Sequence, residues 1–187
     1  KFILLLLFFV SLTSFSQILN PVKWEFGAEK LSDTEYELIF VAKIDLHWSL
    51  YSQFVEEGGP LPTLFSFEPS TDFELFESVV ESEINKVTQL DPVFEMVVSK
   101  YYDKAIFKQR VRVKSPDFRL IGNIDFMTCD DTKCTYKPDN PFTFQYTAES
   151  GFSIVGGSPM LESEISENAN VVLYGMTQNT LQKATSN

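Results

Sequence analysis

The chain has 187 residues, of which 15 are basic and 26 acidic, for a formal net charge of −11. So acidic a surface repels nucleic acid and anionic lipid, which excludes the function classes that need a basic footprint. Two cysteines and a single histidine also leave little material for a closed metal site.

In chain order, the first element is an address. Residues 1–16 carry one positive charge at Lys1, an apolar run from Phe2 to Leu12, and small Ser14 and Ser16 before Gln17. This pattern predicts a secretory signal peptide, and the run is too short to span roughly 30 Å of hydrocarbon. Its removal takes away Lys1 and no acid, leaving 14 basic and 26 acidic residues and a charge of −12. About 170 residues remain, enough for one domain with a sizeable core.

Short strand-like runs then follow one another: Val22–Phe26, Glu35–Ile44, His47–Tyr51, Thr63–Phe67, Phe73–Phe76, Val93–Val98, Ala105–Lys114, Leu120–Met127 and Phe142–Thr147. In the second run Tyr36, Leu38, Phe40 and Ala42 alternate with Glu35, Glu37, Ile39 and Val41, the period of a strand. Gly58-Gly59-Pro60-Leu61-Pro62 breaks any ladder and marks a turn. His47 reads as an ordinary half-buried strand residue. Eighteen phenylalanines suit a β-rich core. Roughly nine or ten strands with frequent turns predict an all-β, immunoglobulin-like β-sandwich over residues 17–148. After residue 148 the glycines at 151, 156 and 157 and the acids at 162, 164 and 167 read as a flexible linker or C-terminal tail over 149–187, with a weak helix over 170–184.

The chemistry-bearing segment is Phe126-Met127-Thr128-Cys129-Asp130-Asp131-Thr132-Lys133-Cys134. The residues between the cysteines favour a turn, which places both sulfurs at one tip within bridging reach. In an exported chain an even cysteine count points to a disulfide. Three readings stay open at this level. The pair is a redox centre; or it is a staple, though so small a ring stabilises by only about 2 kcal/mol; or it holds zinc with His47 and a carboxylate, a poor ligand set. Asp130 and Asp131 follow Cys129, whereas Lys133 precedes Cys134. Anions disfavour a thiolate and cations favour it, so these charges make Cys134 the readier nucleophile.

These residues resemble the N-terminal periplasmic domain of the thiol:disulfide interchange protein DsbD, in its Bacteroidetes-like form. The resemblance runs over about residues 19–147 and is carried by Asn20-Pro21-Val22-Lys23-Trp24, Trp48 through Gln53, Gly58 through Thr63, and the cysteine segment with Pro138 beyond. It implies an immunoglobulin-like sandwich with the cysteines on a hairpin at one end. It implies further that Cys129 and Cys134 act in exchange as part of a protein-disulfide reductase system, Cys134 joining to partners. A cap with Tyr101 or Tyr102 would cover the pair, and Tyr51 would line the same site. The implied partners are a thioredoxin-like domain or membrane electron donor and oxidised periplasmic proteins; no metal, nucleotide or flavin cofactor is implied. Two departures stand out: four residues separate the cysteines where enterobacterial members have five, and Tyr101-Tyr102-Asp103 replaces Phe-Tyr-Gly. No membrane segment or thioredoxin domain follows in this sequence, so electrons are expected from a separate protein or a longer parent chain. The rival expectation is a non-catalytic, ligand-binding β-sandwich with a structural Cys129–Cys134 disulfide.

Overall fold

The computed structural model describes residues 19–171; the expected signal peptide and nearly all of the weak helix expected over 170–184 lie outside the described residues. Among the described residues twelve strands form two sheets. The first sheet has the order β12-β1-β2-β8-β5, built from β12 (Ser158–Pro159), β1 (Val22–Lys30), β2 (Glu35–Ile44), β8 (Lys104–Val113) and β5 (Phe73–Glu81). The second has the order β11-β10-β9-β3-β7-β6, built from β11 (Gly151–Gly156), β10 (Cys134–Thr147), β9 (Asp117–Cys129), β3 (Ser49–Tyr51), β7 (Met96–Tyr101) and β6 (Lys86–Asp91). β4 (Leu64–Phe67) pairs with β9 beside β3. The architecture is an immunoglobulin-like β-sandwich, the class predicted from strand spacing.

The two inner faces interlock through aromatic rings. Phe40 on β2 meets Phe142 on β10 and Phe65 on β4, each at 5.0 Å between ring centroids and steeply tilted. Edge-to-face pairs of this kind add about 0.5–1.5 kcal/mol beyond the area they bury. Gly122 on β9 makes the close crossing possible, because a Cβ there would stand 2.3 Å from both the Phe142 ring and the Ser66 carbonyl.

Several elements differ from the sequence expectation. β6 reads as polar (Lys86-Val87-Thr88-Gln89-Leu90-Asp91) because it is an edge strand with little to bury. The run expected at Val93–Val98 begins three residues later, at Met96, since residues 92–95 form a turn with Glu95 at φ 54°. His47 is exposed in a turn with φ 68°, not a strand residue.

The segment expected as linker or tail from residue 149 is structured as far as 169. β11 extends the second sheet, and α1 (Glu162–Ala169) lies on the outer face of the first. Ile39, Val41 and Ile106 form an apolar strip on that face, and Met160, Ile165 and Ala169 cover it. A Cβ at Gly27 would stand 2.8 Å from Ile165 Cγ1, so glycine permits the close seat of the helix. Lys108, 4% exposed, lies 3.0 Å from Glu37 Oε2 and donates to the carbonyls of Ala169 (2.7 Å) and Val171 (3.2 Å). Its charge thus meets the electronegative end of α1. No helix among the described residues is long and apolar enough to cross a membrane.

Candidate redox site at the β9–β10 hairpin

β9 alternates strictly along most of its length, with Phe118, Leu120, Ile124, Phe126 and Thr128 turned inward and buried. The alternation ends at the tip, where Cys129 is buried as well although it belongs to the outer face. That face is half exposed further down the strand. At the tip it is covered by residues from other loops.

The hairpin turn is set by Asp130. Its Oδ1 accepts hydrogen bonds from the backbone N–H of Thr132 (2.7 Å) and Lys133 (2.9 Å) and from the Thr132 hydroxyl (2.8 Å), while the Asp130 N–H donates to the Lys133 carbonyl (3.0 Å). A short aspartate side chain closing its own turn is the reason such residues favour tight connections. The Thr132 N–H, above all, holds the Asp130 carboxyl below its usual value. The turn places Cys129 directly opposite Cys134 in the ladder, with Cα atoms 4.1 Å apart and the sulfurs joined in a disulfide. Directly opposed residues share one face of a sheet, so both sulfurs lie on the outer side.

The two cysteines differ in access. Cys129 is 5% exposed, whereas Cys134 is an exposed residue. Cys129 packs in a small cluster with Tyr51 and Val98, joined by Val55, Phe94, Met96 and Met127. β3 is locked beneath it: Ser49 Oγ donates to the Cys129 carbonyl (3.1 Å) and Thr128 Oγ1 donates to the Ser49 carbonyl (2.8 Å).

Two anchored segments supply the cover. The loop between Ser52 and Thr63 is closed at its base, where the Thr63 N–H donates to the Ser52 carbonyl (3.2 Å) and Thr63 Oγ1 to the Tyr51 carbonyl (2.6 Å). Glu81 holds its start, accepting from the Ser52 hydroxyl and from the Gln53 N–H (2.8 Å), and is neutralised by Lys86 at 3.0 Å. The second segment is the turn after β6. Asp91 Oδ1 accepts from the Val93 N–H (2.9 Å), and its Oδ2 meets both the Tyr51 hydroxyl and Lys100 Nζ at 3.1 Å. Burial works against the Asp91 carboxylate, but the Val93 N–H and the Lys100 ammonium outweigh it and hold the carboxyl below its ordinary value. Burial, followed by the adjacent Asp91, pushes the Tyr51 hydroxyl well above its ordinary range, so the ring stays neutral. Phe94, carried by this turn, meets Tyr51 edge-on at 6.0 Å.

Of the residues singled out from sequence, the structure brings together Cys129, Cys134, Tyr51 and Asp130. Lys133 Nζ lies 4.0 Å from Asp130 Oδ2 and 5.6 Å above the Trp48 ring, and Asp131 is exposed at the tip. Tyr101 lies elsewhere. It is the last residue of β7, paired with Leu50, and belongs to the inter-sheet core, where its hydroxyl donates to the Ser82 carbonyl (2.6 Å). Tyr102 is half-buried, with Lys100 Nζ 5.9 Å from its ring. The residues packed against the Cys129 cluster from outside its own hairpin (Val55, Phe94 and Met96) escaped the sequence reading. Asp91-Pro92 was the available signal, since an aspartate before a proline commonly opens a turn.

No family model matches the sequence, and no curated protein matches it. Solved structures with a similar fold include two N-terminal domains. One is the N-terminal periplasmic domain of ScsB from Proteus mirabilis, at TM-score 0.46 and 16% identity over 68% of this chain. The other is the DsbD N-terminal domain of Neisseria meningitidis in the reduced form, at TM-score 0.47 and 12% identity over 75% of this chain. The match spans 46% of the ScsB chain and 96% of the DsbD chain, so this protein covers about half the length of the former. The structural neighbours are thus of DsbD and ScsB N-terminal type. At these identities and TM-scores the likeness carries no role over to this chain.

Proposed function

We propose that this protein is a periplasmic thiol–disulfide exchange module that passes reducing equivalents to oxidised exported proteins through Cys129 and Cys134. The observation that carries the reading is the unequal exposure of two bridged cysteines at one hairpin tip. A staple has no need of an open sulfur, whereas exchange requires one sulfur within reach of an incoming thiolate and another that leaves or returns from behind.

The roles follow from access. In the reduced module the Cys134 thiolate attacks one sulfur of a partner disulfide, forming a mixed disulfide and releasing the partner's other sulfur as a thiolate, which takes up a proton. The Cys129 thiol then loses its proton and attacks Cys134 Sγ, and the partner departs as a dithiol. The module ends as the Cys129–Cys134 disulfide, two electrons and two protons poorer. Recharging runs the same steps in reverse, with a donor thiolate attacking Cys134 Sγ and Cys129 leaving. The exposure difference supports Cys134 as the attacking sulfur, the role expected for it from sequence, while Lys133 next to it is shared with Asp130 at 4.0 Å. The cover over Cys129 limits access by stray oxidants, as a dithiol in an oxidising compartment needs.

Trapping tests the assignment. Cys129→Ser should accumulate a stable mixed disulfide with a thioredoxin-like protein through Cys134, while Cys134→Ser should accumulate little. An adduct formed only through Cys129 would reverse the roles, and the lack of any adduct would leave a passive sandwich with a structural bridge.

A further inference from the structure

We propose, building on the exchange reading above, that the rim around Cys134 is a docking surface for a protein that carries positive charge around its own reactive sulfur. Three loops converge on the cluster that contains Cys129, and each presents an exposed acid near one of its residues. Glu56 and Glu57 follow Val55, Glu95 follows Phe94, and Asp131 lies two residues beyond Cys129. None of these four carboxylates makes an ion pair among the described residues.

The cations nearby are already matched. Lys133 is 4.0 Å from Asp130, and Lys100 is buried against Asp91 at 3.1 Å. Lys137 lies on the other face of β10 from Cys134, and its Nζ is bound to the Leu19 carbonyl. The loops around the pair therefore set up a negative field at its rim, while Lys133 stays next to Cys134 in the chain. Beside that cysteine, Tyr136 lies two residues along the same face, opposite Met127, and is 45% exposed. An accessible sulfur, an aromatic shelf next to it and an unneutralised acidic rim together describe a protein-binding surface. The complementary partner has an apolar contact at its cysteine and basic residues around it. The same field disfavours small anionic disulfides.

Charges on such a rim act over about 8 Å at physiological ionic strength, and focused fields change association rates by about 10- to 1,000-fold. The test uses the full chain, pre-reduced, with three small disulfides: cystamine (cationic), hydroxyethyl disulfide (neutral) and dithiodipropionate (anionic). Each is split by Cys134 attack and then Cys129 closure, so the pair is oxidised by two electrons and the probe yields two thiols. The cystamine-to-dithiodipropionate rate ratio should fall by about tenfold between low salt and about 0.5 M salt. It should fall by a similar factor at low salt in the Glu56→Lys/Glu57→Lys variant, and again in Glu95→Lys/Asp131→Lys, which alters different loops. Comparing ratios cancels the intrinsic reactivity of each probe. A ratio unmoved by salt and by both charge reversals overturns the docking surface. Failure of the neutral probe to oxidise the pair overturns the exchange reading instead.

Discussion

Cys129 and Cys134 stand opposite one another in one ladder, yet only Cys129 is buried, and the difference originates in Asp91 as much as in the hairpin. Asp91 ties the Tyr51 hydroxyl, Lys100 and the turn that carries Phe94 into one knot behind Cys129. Breaking a buried ion pair leaves the other charge uncompensated, so Asp91→Asn should cost about 3 kcal/mol in urea unfolding. The carboxyl is also held below its ordinary value of 3.8 in the folded protein. The unfolded chain therefore binds the proton more readily, and this stabilisation is present above pH 3.8 and is lost as the pH falls through the lower folded value. Amide exchange at Val93 and Phe94 should accelerate in that acid range in the parent protein. In Asp91→Asn it should be fast already at neutral pH and show no such step. The cysteines and Tyr51 were legible in sequence because spacing and motif speak for them directly. The role of Asp91 at the site was not, since its side-chain partners lie 9 and 40 residues away.

Among the elements, β2 shows how a sequence hints at a partner without identifying it. Its second face carries Ile39 and Val41 among the glutamates, too apolar for a face in water. What covers that face is α1, from a stretch whose glycines and acids read as a tail. The helix holds there through packing and through Lys108, which no local propensity would reveal. Lys108→Ala leaves Glu37 buried without its cation and should destabilise the protein by about 3 kcal/mol, with loss of amide protection across 162–169. The Lys108→Met/Glu37→Met pair should recover most of that loss, because an apolar pair of similar volume replaces two desolvated charges. A double variant as unstable as Lys108→Ala would show that the carbonyl bonds to α1, not the ion pair, carry the energy. β7 gives the complementary lesson. Its start at Met96 places Tyr101 inside a ladder, so an aromatic expected over the cysteines packs between the sheets.

At the scale of the molecule, the sandwich is a frame for one exposed cysteine. Alternating runs and 18 phenylalanines made the sheet architecture legible. The order of strands and the convergence of three loops at one tip depend on long-range pairing, which a local pattern does not encode. A frame of this kind serves a structural bridge equally well, so fold alone does not separate the two functions. The midpoint potential of the pair does. Equilibrated against a series of dithiol buffers at neutral pH, the Cys129–Cys134 couple should titrate between about −180 and −270 mV, within the range of thioredoxin-like exchange proteins. A value below about −300 mV, where structural disulfides lie, would contradict the account.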